Sequence, residues 1–237
     1  MTDTHSQLSL VVVSAGISAP SSTRLLADRI AQKTVDSLQD QGRIVATKVI
    51  ELGPIALDIA QALVSGHPSD GLQPKIKELA AADGVIAATP VYTAGVSGLF
   101  KSFCDVLDTD LIVATPTLLS GTGGSSRHAL VIEDQLRPTF SYLRALTVPT
   151  SVYAAPEDWS APALGERIGR AATELAALMA SGVAKRIADQ AWAGYQHRFA
   201  GNATRAEQTA ADIDFDSPLM RLAAGGDPIR KDRTSGT

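Results

Sequence analysis

The run Leu8 to Val13 is apolar and rich in β-branched residues, and after a short loop it gives way to a helical pattern that begins at Ser22. Such a run forms a strand buried on both faces, which belongs in a parallel sheet rather than a half-exposed hairpin. The loop between strand and helix offers the hydroxyls of Ser14, Ser18, Ser21, Ser22 and Thr23. The first N–H groups of the helix lack intrahelical partners and lie at the positive end of its dipole, so the place suits an anion such as a phosphate. A serine-rich turn also arises because Ser21 or Ser22 caps the helix, and this stretch alone does not separate the two readings.

The same alternation recurs down the chain. Arg24 to Leu38 reads as a helix stopped at Gln41-Gly42, and Ile44 to Ile50 as the second strand. Ile55 to Val64 and Pro74 to Ala82 are helical candidates, and Val85 to Thr89 is a third strand closed by Pro90, which cannot donate to a ladder. Leu99 to Leu107 resumes a helical period. A fourth strand, Pro116 to Leu119, leads into the loop Ser120 to Ser126. Ala129 to Leu146 reads as a helix that tolerates Pro138 only near a start or at a kink, Val148 to Ala154 as the fifth strand, and Pro162 to Ile187 as the last long helix.

Five strands alternating with helices through short loops predict an α/β fold, a parallel sheet covered on both faces by right-handed crossovers. Ligands bind such sheets outside the strand carboxyl ends, where the loops Ser14 to Thr23, Pro90 to Gly98 and Ser120 to Ser126 should converge on one crevice. The domain is expected to occupy residues 1–188, with 189–237 a C-terminal extension whose last residues are disordered. Trp192, Tyr195, Phe199 and Phe215 in that extension are expected to dock on the domain or on a second subunit.

With 21 basic and 25 acidic residues, the charge of -4 gives no footprint for nucleic acid or an anionic membrane. Cys104 is the single cysteine, which excludes a disulfide framework and fits a reducing cytoplasm. No apolar run reaches the roughly 20 residues that span a bilayer, and the first residues lack a signal-type core. His5, His67, His128 and His197 show no metal-ligand spacing, so no metal is assigned.

The second loop carries few charges. Its Gly95, Gly98 and Lys101-Ser102 resemble a phosphate loop only superficially, because Phe100 stands where a glycine must precede the lysine. Pro90, Val91, Tyr92 and Thr93 suit a flat, partly apolar ring instead, unless Tyr92 merely packs within an ordinary strand-to-helix turn. In the third loop Gly121, Gly123 and Gly124, with Thr122 among them, can bring backbone close to a ligand. Its sixth position is Ser126 and it follows a late strand, so it is a weak dinucleotide fingerprint. Arg127 suits either a surface ion pair or a ligand anion, and His128 is read as structural.

Taken together, SAGISAPSSTRLLA, AADGVIAATPVYTAGVSGLFKSFCD and SGTGGSSRHAL make the chain resemble the flavodoxin-like NAD(P)H-dependent FMN reductases from about Leu8 to Ala184. It looks most like the branch that supplies reduced flavin to two-component flavin-dependent monooxygenases. Val91 replaces the acid, and Thr93 the asparagine, that this family commonly carries in its TPEYN pattern. The resemblance implies a flavodoxin-like five-stranded sheet and FMN as cofactor or substrate, with NADH or NADPH as electron donor. Ser14, Ser18, Ser21, Ser22 and Thr23 would hold the FMN phosphate, and Pro90, Val91, Tyr92 and Thr93 would line the isoalloxazine. Gly121, Thr122, Gly123 and Gly124 would close over the ring's other side. Hydride transfer from nicotinamide to flavin needs no side-chain nucleophile or general acid, so no catalytic residue is assigned.

Two other electron-transfer functions share this scaffold. One is a quinone, azo-dye or chromate reductase; the other is a non-enzymatic flavodoxin-like carrier, against which the modest net charge argues. A homodimer, or a tetramer built from dimers, is expected as the cover for apolar surface flanking the ring site and carried by the extension.

Overall fold

In the computed structural model, which describes residues Gln7 to Ala191, the apolar runs become strands whose alternate side chains feed two separate cores. The strands are β1 (Leu8–Ser14), β2 (Val45–Glu51), β3 (Gly84–Tyr92), β4 (Gly95–Val96), β5 (Pro116–Thr122), β6 (Leu146–Thr147) and β7 (Val152–Ala154). The α-helices are α1 (Ser22–Gln39), α2 (Ala56–Ser65), α3 (Gln73–Ala80), α4 (Gly98–Asp105), α5 (Arg137–Tyr142), α6 (Pro162–Ser181) and α7 (Val183–Ala191). The sheet runs β2-β1-β3-β5-β6, with β7 pairing the later part of β5 and β4 folded back antiparallel on β3. All other pairs are parallel. This is the flavodoxin-like strand order, with β6 and β7 sharing the fifth position and helices on both faces.

Strand periodicity decides which core each residue joins. Val11, Val13, Val85 and Ala87 face a core with Phe100 and Phe103 of α4 and Phe140 of α5, whose rings at 100 and 140 lie 6.3 Å apart. Their neighbours Leu10, Val12, Ile86 and Ala88 face Leu26 and Ile30 of α1 and Ile168 and Leu175 of α6. β1, β3 and β5 are therefore covered on both sides, while β2 is the half-exposed edge.

Several boundaries differ from the sequence expectation, each for a local reason. Pro90 does not end the third strand: β3 continues to Tyr92. Beside it β1 leaves the sheet after Ser14, so no ladder partner on that side needs the missing proline N–H. β5 likewise runs through Ser120 and Gly121 to Thr122, making strand of what reads as loop. The helix expected over Ala129 to Leu146 is a turn at Ser126–His128, a π-helical stretch Ile132–Leu136 and the short α5, with Pro138 in its first turn. The fifth strand is interrupted between Thr147 and Val152, and the last helix is cut in two by Gly182 in a left-handed conformation, φ 63°.

The described residues all fall within one compact unit, and residues 192–237 lie outside them. Among the latter are Trp192, Tyr195, Phe199, Phe215 and the C-terminal residues expected to be disordered. Among the described residues no helix is long and apolar enough to cross a membrane.

Candidate functional site

The site begins where β1 stops. Ser14 is buried, and its Oγ accepts from the Gly16 N–H at 3.4 Å, so this serine shapes the turn from inside. Ser21 caps α1, its Oγ accepting from the Arg24 N–H at 3.2 Å in extended backbone geometry. The capping role therefore falls to Ser21. It leaves Ser22 and Thr23 as the first helical residues, whose N–H groups point out of the helix end, and no acidic residue stands in that first turn. Thr23 is buried, and its Oγ1 lies 2.7 Å from Thr122 Oγ1 at the end of β5. That hydroxyl pair ties the first loop to the third.

At the carboxyl edge of the sheet these loops surround a cavity of about 530 Å3. Of the residues expected to bind the ligand, Ser18, Ser22, Thr23, Pro90, Val91, Tyr92, Thr122, Gly123 and Gly124 line it. Ser14, Ser21, Thr93 and Gly121 do not. Gly121 sits inside β5, where a Cβ would meet Ile132 Cδ1 and Thr89 O, so its lack of a side chain serves packing. Thr93 belongs to the two-residue turn joining β3 to β4.

Gly16 and Ile17 of the first loop also line the cavity, and so do Ala154, Pro156 and Trp159, which no sequence motif selects. β7 ends at Ala154, so the segment after it reaches the same carboxyl edge, and the rule that pointed to three loops points equally to this fourth one. Trp159 carries the Arg29 guanidinium 5.9 Å from its ring centroid.

Among the described residues the lining holds neither lysine nor arginine. Arg24, next to Thr23, is committed elsewhere, 2.7 Å from both Asp28 and Glu51, and these bonds, Asp28 first, raise its pKa. Arg127 is exposed and outside the lining. The α1 terminus supplies positive potential at the Ser18 and Ser22 end. Opposite, Pro90, Val91 and the half-exposed Tyr92 form an apolar wall. Tyr153 supports the third loop from below: its hydroxyl donates to Ser125 O at 2.7 Å, and a Cβ on Gly123 would strike that hydroxyl. Burial, then Asp158 and Glu157, raise the Tyr153 pKa and keep it a donor. Cys104 lies apart from the cavity, and burial, helped by Asp105, pushes its thiol up to about 12, which leaves it inert as a nucleophile.

A site with an anion-accepting helix end, an apolar wall and glycine backbone opposite fits a phosphorylated, flat-ringed molecule, and its volume lies within the usual range for ligand pockets. The residues present therefore fit FMN. A Cβ at Gly124 would meet nothing within 4 Å, so this glycine leaves open space where a ligand approaches.

The model of the family described as NADPH-dependent FMN reductase matches residues 8–160. The NADH-dependent FMN reductase SfnE of Pseudomonas putida is 38% identical over 170 residues, 70% of this chain and 89% of that one. An oxidoreductase structure from Corynebacterium diphtheriae superposes with a TM-score of 0.72 at 42% identity, covering 74% of this chain and 98% of that one. A WrbA-like flavodoxin from Agrobacterium tumefaciens shares the fold alone, with a TM-score of 0.50 at 18% identity over 75% of this chain and 98% of its own.

Proposed function

Because this chain belongs to the NADPH-dependent FMN reductase family, we propose that the cavity at the carboxyl edge of its sheet is where FMN meets a reduced nicotinamide. The observation that carries the assignment is the convergence of the Ser18–Thr23, Pro90–Tyr92 and Thr122–Gly124 segments on one space of about 530 Å3. FMN, when bound, accepts a hydride from NADH or NADPH. The protein's own residues bind and orient. Ser18, Ser22 and the N–H groups that open α1 hold the phosphate. Pro90, Val91 and Tyr92 support one side of the ring, and the Gly123-Gly124 backbone meets the other. Holding two rings in attack geometry supplies part of the barrier reduction, up to roughly 7–11 kcal/mol in favourable cases.

Purified protein mixed with NADH or NADPH under air should oxidise the nicotinamide continuously only when FMN is present. FMN should bind more tightly than FAD, since the first loop provides one compact anion site and the sequence shows no second motif for an adenylate half. No flavin-dependent turnover would defeat the assignment; equal affinity for FAD would defeat the single-anion reading.

The same proposal covers setting and partners. Reduced flavin is passed to a flavin-dependent monooxygenase, a reading supported by the exposed Tyr92 and Gly124 at the rim of the cavity, where a flavin can leave. The single cysteine supports a cytoplasmic location. Leu57, Leu63 and Val64 of α2 are exposed, and this apolar surface supports a homodimer or a tetramer of dimers. Light scattering at micromolar concentration should give a multiple of the chain mass, whereas the mass of one chain would exclude that assembly.

A further inference from the structure

The wall that carries Val91 and Tyr92 is a hairpin with little to hold it. β3 and β4 share only the pairs Val91↔Val96 and Tyr92↔Gly95. Their two-residue turn places Thr93 at φ 49° and Ala94 at φ 59°. Left-handed backbone at both central positions suits Asn-Gly; a β-branched threonine followed by alanine is strained there. Local sequence therefore opposes the conformation that the cavity wall requires.

Gln135 makes good the deficit from outside the hairpin. Its Oε1 accepts from the Val96 N–H at 3.0 Å, and its Nε2 donates to Ala94 O at 3.4 Å, so one amide spans the turn. A Cβ on Gly95 would lie 3.2 Å from the same Oε1, which shows how closely the side chain sits against the strand. Gln135 lies in the π-helical stretch Ile132–Leu136, where the Arg137 N–H reaches back to Ile132 O. Ile132 and Leu136 anchor that stretch in the core. Single π-helical turns recur where a helix must re-aim a side chain at a functional site.

We propose that Gln135 is a positioning residue for the flavin site, which holds the strained Thr93-Ala94 turn and thereby sets Val91 and Tyr92 against the ring. The inference rests on the assignment of the cavity to FMN. Gln135 lies outside the cavity lining, so its influence passes through the hairpin it is bonded to. Because the turn is the lever, a sequence that favours the turn should replace the glutamine.

The test is FMN titration by fluorescence quenching, with the thermal midpoint of each variant measured alongside. Gln135→Ala should weaken FMN binding by about tenfold, the size of one or two net hydrogen bonds. Gln135→Glu keeps the acceptor for Val96 N–H and should fall between Ala and the parent. Adding Thr93→Asn and Ala94→Gly to Gln135→Ala should restore affinity to within about twofold, whereas the same pair in the parent chain should change it little. Under saturating FMN, the KM for nicotinamide should shift with the wall while the thermal midpoint stays within a few degrees. Unchanged affinity in Gln135→Ala, or a loss that Asn-Gly does not repair, overturns the proposal. Should Gln135→Ala not fold, the comparison of Gln135→Glu with and without Asn-Gly decides in the same way. Failure of the parent chain to bind FMN would instead reject the assignment of the cavity.

Discussion

Changing Ser22 and Thr23 together to alanine is expected to weaken FMN binding by about two orders of magnitude. Each charge-assisted hydrogen bond to a phosphate contributes roughly 1.5–3 kcal/mol, and about 1.4 kcal/mol corresponds to tenfold in affinity. Among the described residues no lysine or arginine lines the cavity to offset the loss. The single variants should separate two roles. Ser22 is exposed at the cavity, so Ser22→Ala should lower affinity and leave the thermal midpoint unchanged. Thr23 is buried with its hydroxyl on Thr122, so Thr23→Ala also strands a buried polar partner, at a cost of about 1–3 kcal/mol in stability. Fluorescence titration paired with thermal unfolding measures both. A folded double variant with unaltered FMN affinity would return the loop to a plain helix cap.

Which serine caps the helix shows where sequence reasoning stops. Ser21 and Ser22 are adjacent and chemically equivalent, and either satisfies the preference for a hydroxyl at that position. Only the 3.2 Å bond from Arg24 N–H to Ser21 Oγ separates them. The sheet, by contrast, is legible from the start, because strand periodicity alone sends Leu10 and Val12 to one core and Val11 and Val13 to the other. Those runs lie deep in the protein, where burial dominates every competing preference.

Near the site the competing preferences are finer. Val131, Ile132, Leu136, Phe140 and Leu143 have helical spacing and are all buried, so the expected helix over that stretch places its apolar residues correctly. Pro138 has no N–H to return to the preceding turn, and the chain widens into a π-helical stretch before α5 begins. Hydrophobic spacing does not register that widening, and with it goes the aim of Gln135 at the β3–β4 hairpin. Thr93 is a similar case. Propensity argues against its left-handed conformation, and only the hydrogen bonds around the turn account for it. Trp159 falls outside every recognised motif, yet it follows the last strand of the sheet, so the carboxyl-edge rule reaches it once that strand is placed.

Replacing Gly16 by alanine is expected to damage both the fold and the site, and a neighbouring glycine provides the contrast. A Cβ on Gly16 would collide with Ser21 Oγ, and it would lie 3.1 Å from Ser21 Cβ and 3.2 Å from Thr23 Cβ. Rotating the Ser21 hydroxyl away relieves only the first clash and gives up the cap on α1, which costs about 1 kcal/mol. The two Cβ atoms cannot rotate away, so the loop backbone itself must shift, at a typical overpacking cost of about 1–3 kcal/mol. That shift carries Ser18 and Ser22 with it, and FMN affinity should fall at least about tenfold as the anion site loses its geometry. Gly124→Ala tests the opposite situation. Its Cβ would meet nothing within 4 Å and its backbone is not left-handed, so the fold should keep its thermal midpoint. The new methyl group would occupy the cavity's rim, and any loss there should appear in ligand affinity alone. If Gly16→Ala kept both its midpoint and its FMN affinity, the tight packing of the first loop would have no part in forming the site.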